Sequence, residues 1–137
     1  MTEDQKHWEQ VLEMGQRFAE DIETVQDLHQ AAQEEDDYES MEALEESQRE
    51  RPLSVEIRSG WYLPGNKPEP DQYRILLGTG GPAMQITGQL DCYGQPCTAA
   101  VEVQDWFKPW TEITTTTPAQ DAALLWFASL FYYGGGE

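Results

Sequence analysis

The chain reads as an α+β fold made of an N-terminal helical hairpin, a four-stranded antiparallel sheet in meander order, and a C-terminal helix packed on that sheet. Three observations predict it. Apolar residues recur at three- and four-residue steps through the first third, the period falls to two after Pro52, and a capped, strongly apolar segment follows a threonine run near the C-terminus. With 137 residues the chain has room for one core and not for two independent ones. The division suggested is an acidic helical appendage over residues 1–51 and one compact body over residues 52–137.

Trp8, Val11, Phe18, Ile22 and Val25, extended by Leu12, Leu28, Ala31 and Ala32, line one face of a helix from residue 3 to about 33. Gly15 is its weak interior position. A helix this long needs an apolar partner, either the body or a second copy of the chain. His29 falls on the same seam and reads as a packed or half-exposed histidine.

The Asp36-Asp37 pair caps a second helix through Tyr38, Met41 and Leu44 toward Gln48. Its apolar face is thin, and Glu39 sits one turn from the like charges of Glu35 and Glu42, as Glu42 does from Glu46. Arg51-Pro52 ends it, because a residue before proline disfavours helical geometry.

Residues 54–61 alternate, with Val55 and Ile57 on one side and Glu56 and Arg58 on the other, and form the first strand. A polar connection with three prolines, LPGNKPEPDQ, leads to a second strand at 73–78. GTGGP turns the chain into a third strand at 84–90, and a further turn around 91–96 leads to a fourth at 98–106. Thr117, Pro118 and Gln120 supply the N-cap, the first-turn proline and the capping-box partner of the final helix. It runs through Leu125, Trp126, Phe127, Leu130 and Phe131 to a stop at Gly134, Gly135 and Gly136. Since this helix is apolar nearly all round, one side covers the sheet and another meets the N-terminal helix or a second subunit.

Charge narrows the function. The chain carries 26 acids and 8 bases, a formal net charge of -18, which repels phosphate backbones and anionic membranes. Neither direct nucleic-acid binding nor membrane binding is predicted. Basic surfaces are the natural partners, including the nucleic-acid-binding grooves of other proteins. Residues 34–50 concentrate the field, with nine carboxylates among seventeen residues. Such a run is most simply a solvated face, yet carboxylates on successive helical turns stand about 5–6 Å apart. That is comparable with the roughly 7 Å scale of phosphates along a nucleic-acid strand. No secretory signal or bilayer-length apolar run is present, so a cytoplasmic location is predicted.

No catalytic constellation is evident. GTGGP lacks the Lys-Ser/Thr pair and following helix of a phosphate loop and reads as a hairpin turn. Cys92 and Cys97 read as reduced thiols beside a turn, with a cross-hairpin disulfide as the alternative. Neither their spacing nor the two separated histidines suggests a metal site, and no cofactor is predicted. Trp106, Phe107 and Trp110 bracket Pro109 near a strand end, and Trp106 and Trp110 close the end of the core on one reading and anchor a partner on the other.

The stretch ILLGTGGPAMQITGQLD, the following CYGQPCTAAVEVQDWFKPWTE and the ending FYYG resemble a family of small uncharacterised proteins from phages, prophages and plasmids of proteobacteria. The match spans residues 52–135 and leaves the acidic segment uncovered. The resemblance implies a mobile-element origin and an accessory role, with no catalytic residues to carry over. By analogy with acidic inhibitors of host defence, of anti-CRISPR or antirestriction type, the leading expectation is a non-enzymatic, stoichiometric inhibitor that occupies a basic nucleic-acid-binding site. Glu34, Glu35, Asp36, Asp37, Glu39, Glu42, Glu45 and Glu46 supply the charge, and Trp106 and Trp110 the apolar anchor. The competing expectations are an accessory protein that dimerises through its N- or C-terminal helix, and a small enzyme with a pocket on the sheet.

Overall fold

The computed structural model describes residues 2–106 and 108–134. Within them the order is α1 (Glu3–Glu34), α2 (Tyr38–Arg49), β1 (Ser54–Ser59), β2 (Pro70–Gly78), β3 (Ala83–Gln89), β4 (Ala100–Asp105), β5 (Lys108–Glu112) and α3 (Pro118–Ala128). The strands form an antiparallel meander in the order β1-β2-β3-β4-β5. The fold class is as predicted, but the sheet has five strands where the sequence predicts four. The additional strand is β5, which pairs Thr111 with Val103 and Lys108 with Asp105. Pro109 and the surrounding aromatics hide its alternation, and proline is tolerated there because the strand lies at the sheet edge.

Register divides the sheet into two chemically distinct faces. Ile75 pairs with Ile86, Ile86 with Val101, and Met84 with Val103, so these side chains share the inner face. Glu56, Arg74 and Thr87 line up on the outer face, as do Leu76, Gln85 and Glu102. Helices α1 and α3 cover the inner face. Val11, Phe18 and Ile22 of α1 and Leu124 and Phe127 of α3 join Ile75, Ile86, Val101 and Val103 in one buried cluster. The Phe18 and Phe127 rings meet edge-on at 5.6 Å, locking the helices together.

The sequence leaves open whether the N-terminal helices fold back on the sheet, and α1 does. At Gly15 a Cβ atom would stand 2.7 Å from Ile113 Cγ1 and 3.0 Å from Val103 Cγ1, so the glycine lets α1 approach β4 and the residue after β5 closely. The apolar faces of α1 and α3 offered above as dimer surfaces are thus largely used within the chain's own core. Among the described residues no helix is long and apolar enough to cross a membrane.

Helix α3 is shorter than predicted. It ends at Ala128 with Ser129 as C-cap, after which the chain folds back so that the Tyr133 hydroxyl donates to the Ala128 carbonyl at 2.6 Å. The Tyr133 ring packs on Tyr73 at 5.0 Å, so burial of Tyr133 wins over continued helix. Gly134, in the left-handed region at φ 74°, is the one residue of the predicted glycine stop that is described. Gly135, Gly136 and Phe107 lie outside the described residues.

Candidate functional site

The acidic segment is built into a sharp corner between α1 and α2. Asp36 takes the left-handed conformation at φ 55°, while Asp36 N–H donates to the Gln33 carbonyl and Asp37 N–H to the Ala32 carbonyl. This is a Schellman closure of α1 with aspartate where glycine is usual, a substitution that a short polar side chain tolerates. Asp37 then caps α2, accepting from Ser40 N at 3.1 Å and Ser40 Oγ at 2.6 Å. Those two bonds, the side-chain one above all, hold its carboxyl below the usual carboxylate range.

Four residues fasten the remainder of α2. Glu45 meets His29 Nε2 at 3.2 Å, and that imidazole packs on Trp126 of α3 at 5.0 Å. Arg49 donates to the Leu130 carbonyl at 3.1 Å and approaches Glu45 at 3.4 Å. Arg51 pairs with Asp21 at 2.8 Å, donates to Gln48 Oε1 at 2.8 Å and lies over the Phe18 ring at 5.0 Å. Gln48 is buried, and Met41 and Leu44 are half-buried. The inward stripe is therefore Met41, Leu44, Glu45 and Gln48, at helical spacing. Tyr38, predicted to join it, is 69% exposed. As the first residue of α2 it precedes the turn that meets α1.

This arrangement sorts the predicted partner-binding carboxylates. Glu34, Glu35, Asp36, Glu39, Glu42 and Glu46 are exposed and form no ion pair among the described residues. Glu45 turns inward to His29 and Arg49, and Asp37 serves as cap, so both are engaged within the fold. Glu39, Glu42 and Glu46 follow one helical face, continued by Glu34, Glu35 and Asp36 at the corner. Glu34 and Glu35 stand at the negative end of the α1 dipole, where local electrostatics disfavours a carboxylate.

Trp106 and Trp110 do not join this group. Trp106 is 81% exposed beyond the end of β4, so it does not close the core, and Trp110 is half-buried in β5. Their end of the sheet lies beside the first turns of α1, where His7 pairs with Asp105 at 2.6 Å and Lys108 lies over Trp8 at 5.6 Å. His29, which anchors α2, is about 33 Å along the helix from His7 at 1.5 Å per residue. Charge and tryptophans thus form two separate surfaces. A second aromatic rim, with Trp61 fully exposed and Tyr62 and Leu63 more than half exposed, follows β1.

Both histidines contact carboxylates that sequence distance conceals, Asp105 for His7 and Glu45 for His29. On the outer sheet face an open groove of about 490 Å³ is lined by Glu56, Arg74, Gln85, Thr87 and Glu102, among others. Arg74 holds Glu56 at 2.8 Å and Gln85 donates to Glu102 at 2.6 Å, so the groove's carboxylates are engaged with neighbours. Cys92 and Cys97 are exposed free thiols, as the sequence suggests. Among the described residues no group of His, Cys, Asp and Glu converges with metal-binding geometry. No protein-family model, curated protein or solved structure matches the chain.

Proposed function

We propose that this protein is a stoichiometric, non-enzymatic inhibitor that occupies a basic nucleic-acid-binding site on a host defence protein or complex, in the cytoplasm of the host cell. The observation that carries the reading is the fastening of α2. Its carboxylates are not a loose solvating run: the cap at Asp37 and the contacts of Glu45, Gln48, Arg49 and Arg51 set the helix in place. Glu39, Glu42 and Glu46 are left pointing away from the body.

A fixed row of this kind replaces phosphates at low entropic cost, because the row is ordered before binding. Placement of Glu34 and Glu35 at the wrong end of the α1 dipole supports a role other than stability, since local preference is broken there without local gain. Attraction to a lysine- and arginine-lined groove would speed encounter and fall with salt.

Affinity capture from a lysate carrying CRISPR and restriction systems, repeated across salt concentrations, tests this reading. Recovery of a basic nucleic-acid-binding protein at low salt is expected, weakening about tenfold or more toward 0.2 M salt. The triple variant Glu39→Gln, Glu42→Gln, Glu46→Gln should lose that partner while keeping its melting temperature. Capture unchanged in the triple variant would refute the assignment to this ridge.

A further inference from the structure

The sheet ends in two unlike edges. β5 is short, carries Pro109 and breaks register between Val103 and Asp105, and these features discourage further pairing. β1 pairs residue for residue with β2 from Ser54 to Arg58, and its other edge meets no strand among the described residues. Its inner-face side chains are incompletely covered, with Val55 36% and Ile57 45% exposed and Leu53 at 62%. An edge of this kind is a template for another strand.

The side chains of the edge specify the occupant. When two identical antiparallel strands pair about a two-fold axis, each side chain keeps its face only if the axis passes through a residue. Centred on Glu56 or on Arg58, the pairing sets like charges directly opposite. Centred on Ile57, it sets Ile57 against Ile57 and Glu56 against Arg58, twice. Long-range charge favours the same place. Residues 49–74 hold five of the eight bases and four acids, whereas the rest of the chain holds three bases and 22 acids. Two copies of a molecule with net charge -18 meet least repulsion along this stretch.

We propose that two copies of this chain associate through their β1 edges, antiparallel and centred on Ile57, joining two five-stranded sheets into one with reciprocal Glu56 to Arg58 pairs. Each Glu56, already held by Arg74 at 2.8 Å, then sits between two guanidinium groups. Val55 and Ile57 of both copies form one apolar strip on the inner face. A single strand pair lies at the low end of specific interfaces, below about 1,200 Å², so the dimer is reversible and concentration-dependent.

Sedimentation of the full chain, of Arg58→Glu, of Glu56→Arg and of their equimolar mixture tests the register. Wild type should dimerise with rising concentration. Each variant alone sets like charges opposite one another and should remain monomeric, while the mixture, in which every Glu faces an Arg, should recover the dimer. A second readout is symmetric cross-linking: Ile57→Cys in a Cys92→Ser, Cys97→Ser background should oxidise to a covalent dimer, because antiparallel partners stand about 4.5–5.5 Å apart. Ser54→Cys in the same background should not. A wild type that stays monomeric, variants that dimerise like wild type, a mixture that stays monomeric, or cross-linking at position 54 rather than 57 would each overturn the proposal.

Discussion

At Gly15 two effects of comparable size oppose one another. Alanine would improve helix propensity by up to about 1 kcal/mol. The new methyl, however, would press on Ile113 and Val103, which are buried and have little room to yield. Overpacking of this kind costs about 1–3 kcal/mol, so Gly15→Ala is expected to lower the melting temperature despite its better propensity. Gly88 is tighter still, since its Cβ would stand 2.0 Å from the Thr98 carbonyl that accepts the Tyr73 hydroxyl bond. Burial pushes the Tyr73 hydroxyl well above the usual phenol range, and that of Tyr133 likewise. Their unfolded values are near 10. Folded stability from these two groups is therefore intact below pH about 10 and falls as pH rises beyond it, because the unfolded chain then releases protons that the folded chain retains. Chemical denaturation followed from pH 8 to 11 should show that decline, and Tyr133→Phe should make it shallower. The sequence marks Gly15 only as a weak helical position. Its partner Ile113 is remote in the chain, and no local pattern announces a contact of that range.

On the scale of elements, α2 is where sequence and structure diverge most instructively. Its cap and its end at Arg51-Pro52 are legible, because capping and proline geometry are local. The turn before it is less so, since Asp36 fills a left-handed position that glycine would have signalled. Read locally, the helix is marginal, with a thin apolar face and repelling carboxylates. Its retention comes instead from Asp21, His29 and Leu130, contributed by α1 and the segment after α3. Each exposed pair is worth about 0–1 kcal/mol, so the fastening is a sum of small contacts. Arg51→Ala should accelerate hydrogen exchange of the α2 amides several-fold while leaving those of β2, β3 and β4 unchanged. The Asp37 cap, with its carboxyl held low, strengthens α2 above the ordinary aspartate value and is lost as pH falls through the lowered one. Helicity of α2 in acid should be less pH-dependent in Asp37→Asn, which keeps an acceptor without a titrating proton. Strand β5 is hidden in the sequence for a related reason, because pairing with β4 defines it rather than its own alternation.

Across the whole molecule, the field of -18 is arranged rather than spread evenly. The N-terminal acids gather on the outer surfaces of α1 and α2, the bases gather around β1, and the exposed tryptophans lie at separate ends of the sheet. The tryptophan pair expected to assist the acidic site is too far from it to serve as one anchor. Trp106→Ala is accordingly expected to leave capture by the acidic ridge within about twofold of wild type. Competition at equilibrium separates mimicry from binding elsewhere, with labelled nucleic acid bound to the captured basic protein and this chain titrated against it. Mimicry by the α2 ridge predicts complete displacement at one chain per binding site, lost in the Glu39, Glu42 and Glu46 to Gln variant. A ternary complex in which nucleic acid stays bound beside this chain would contradict it.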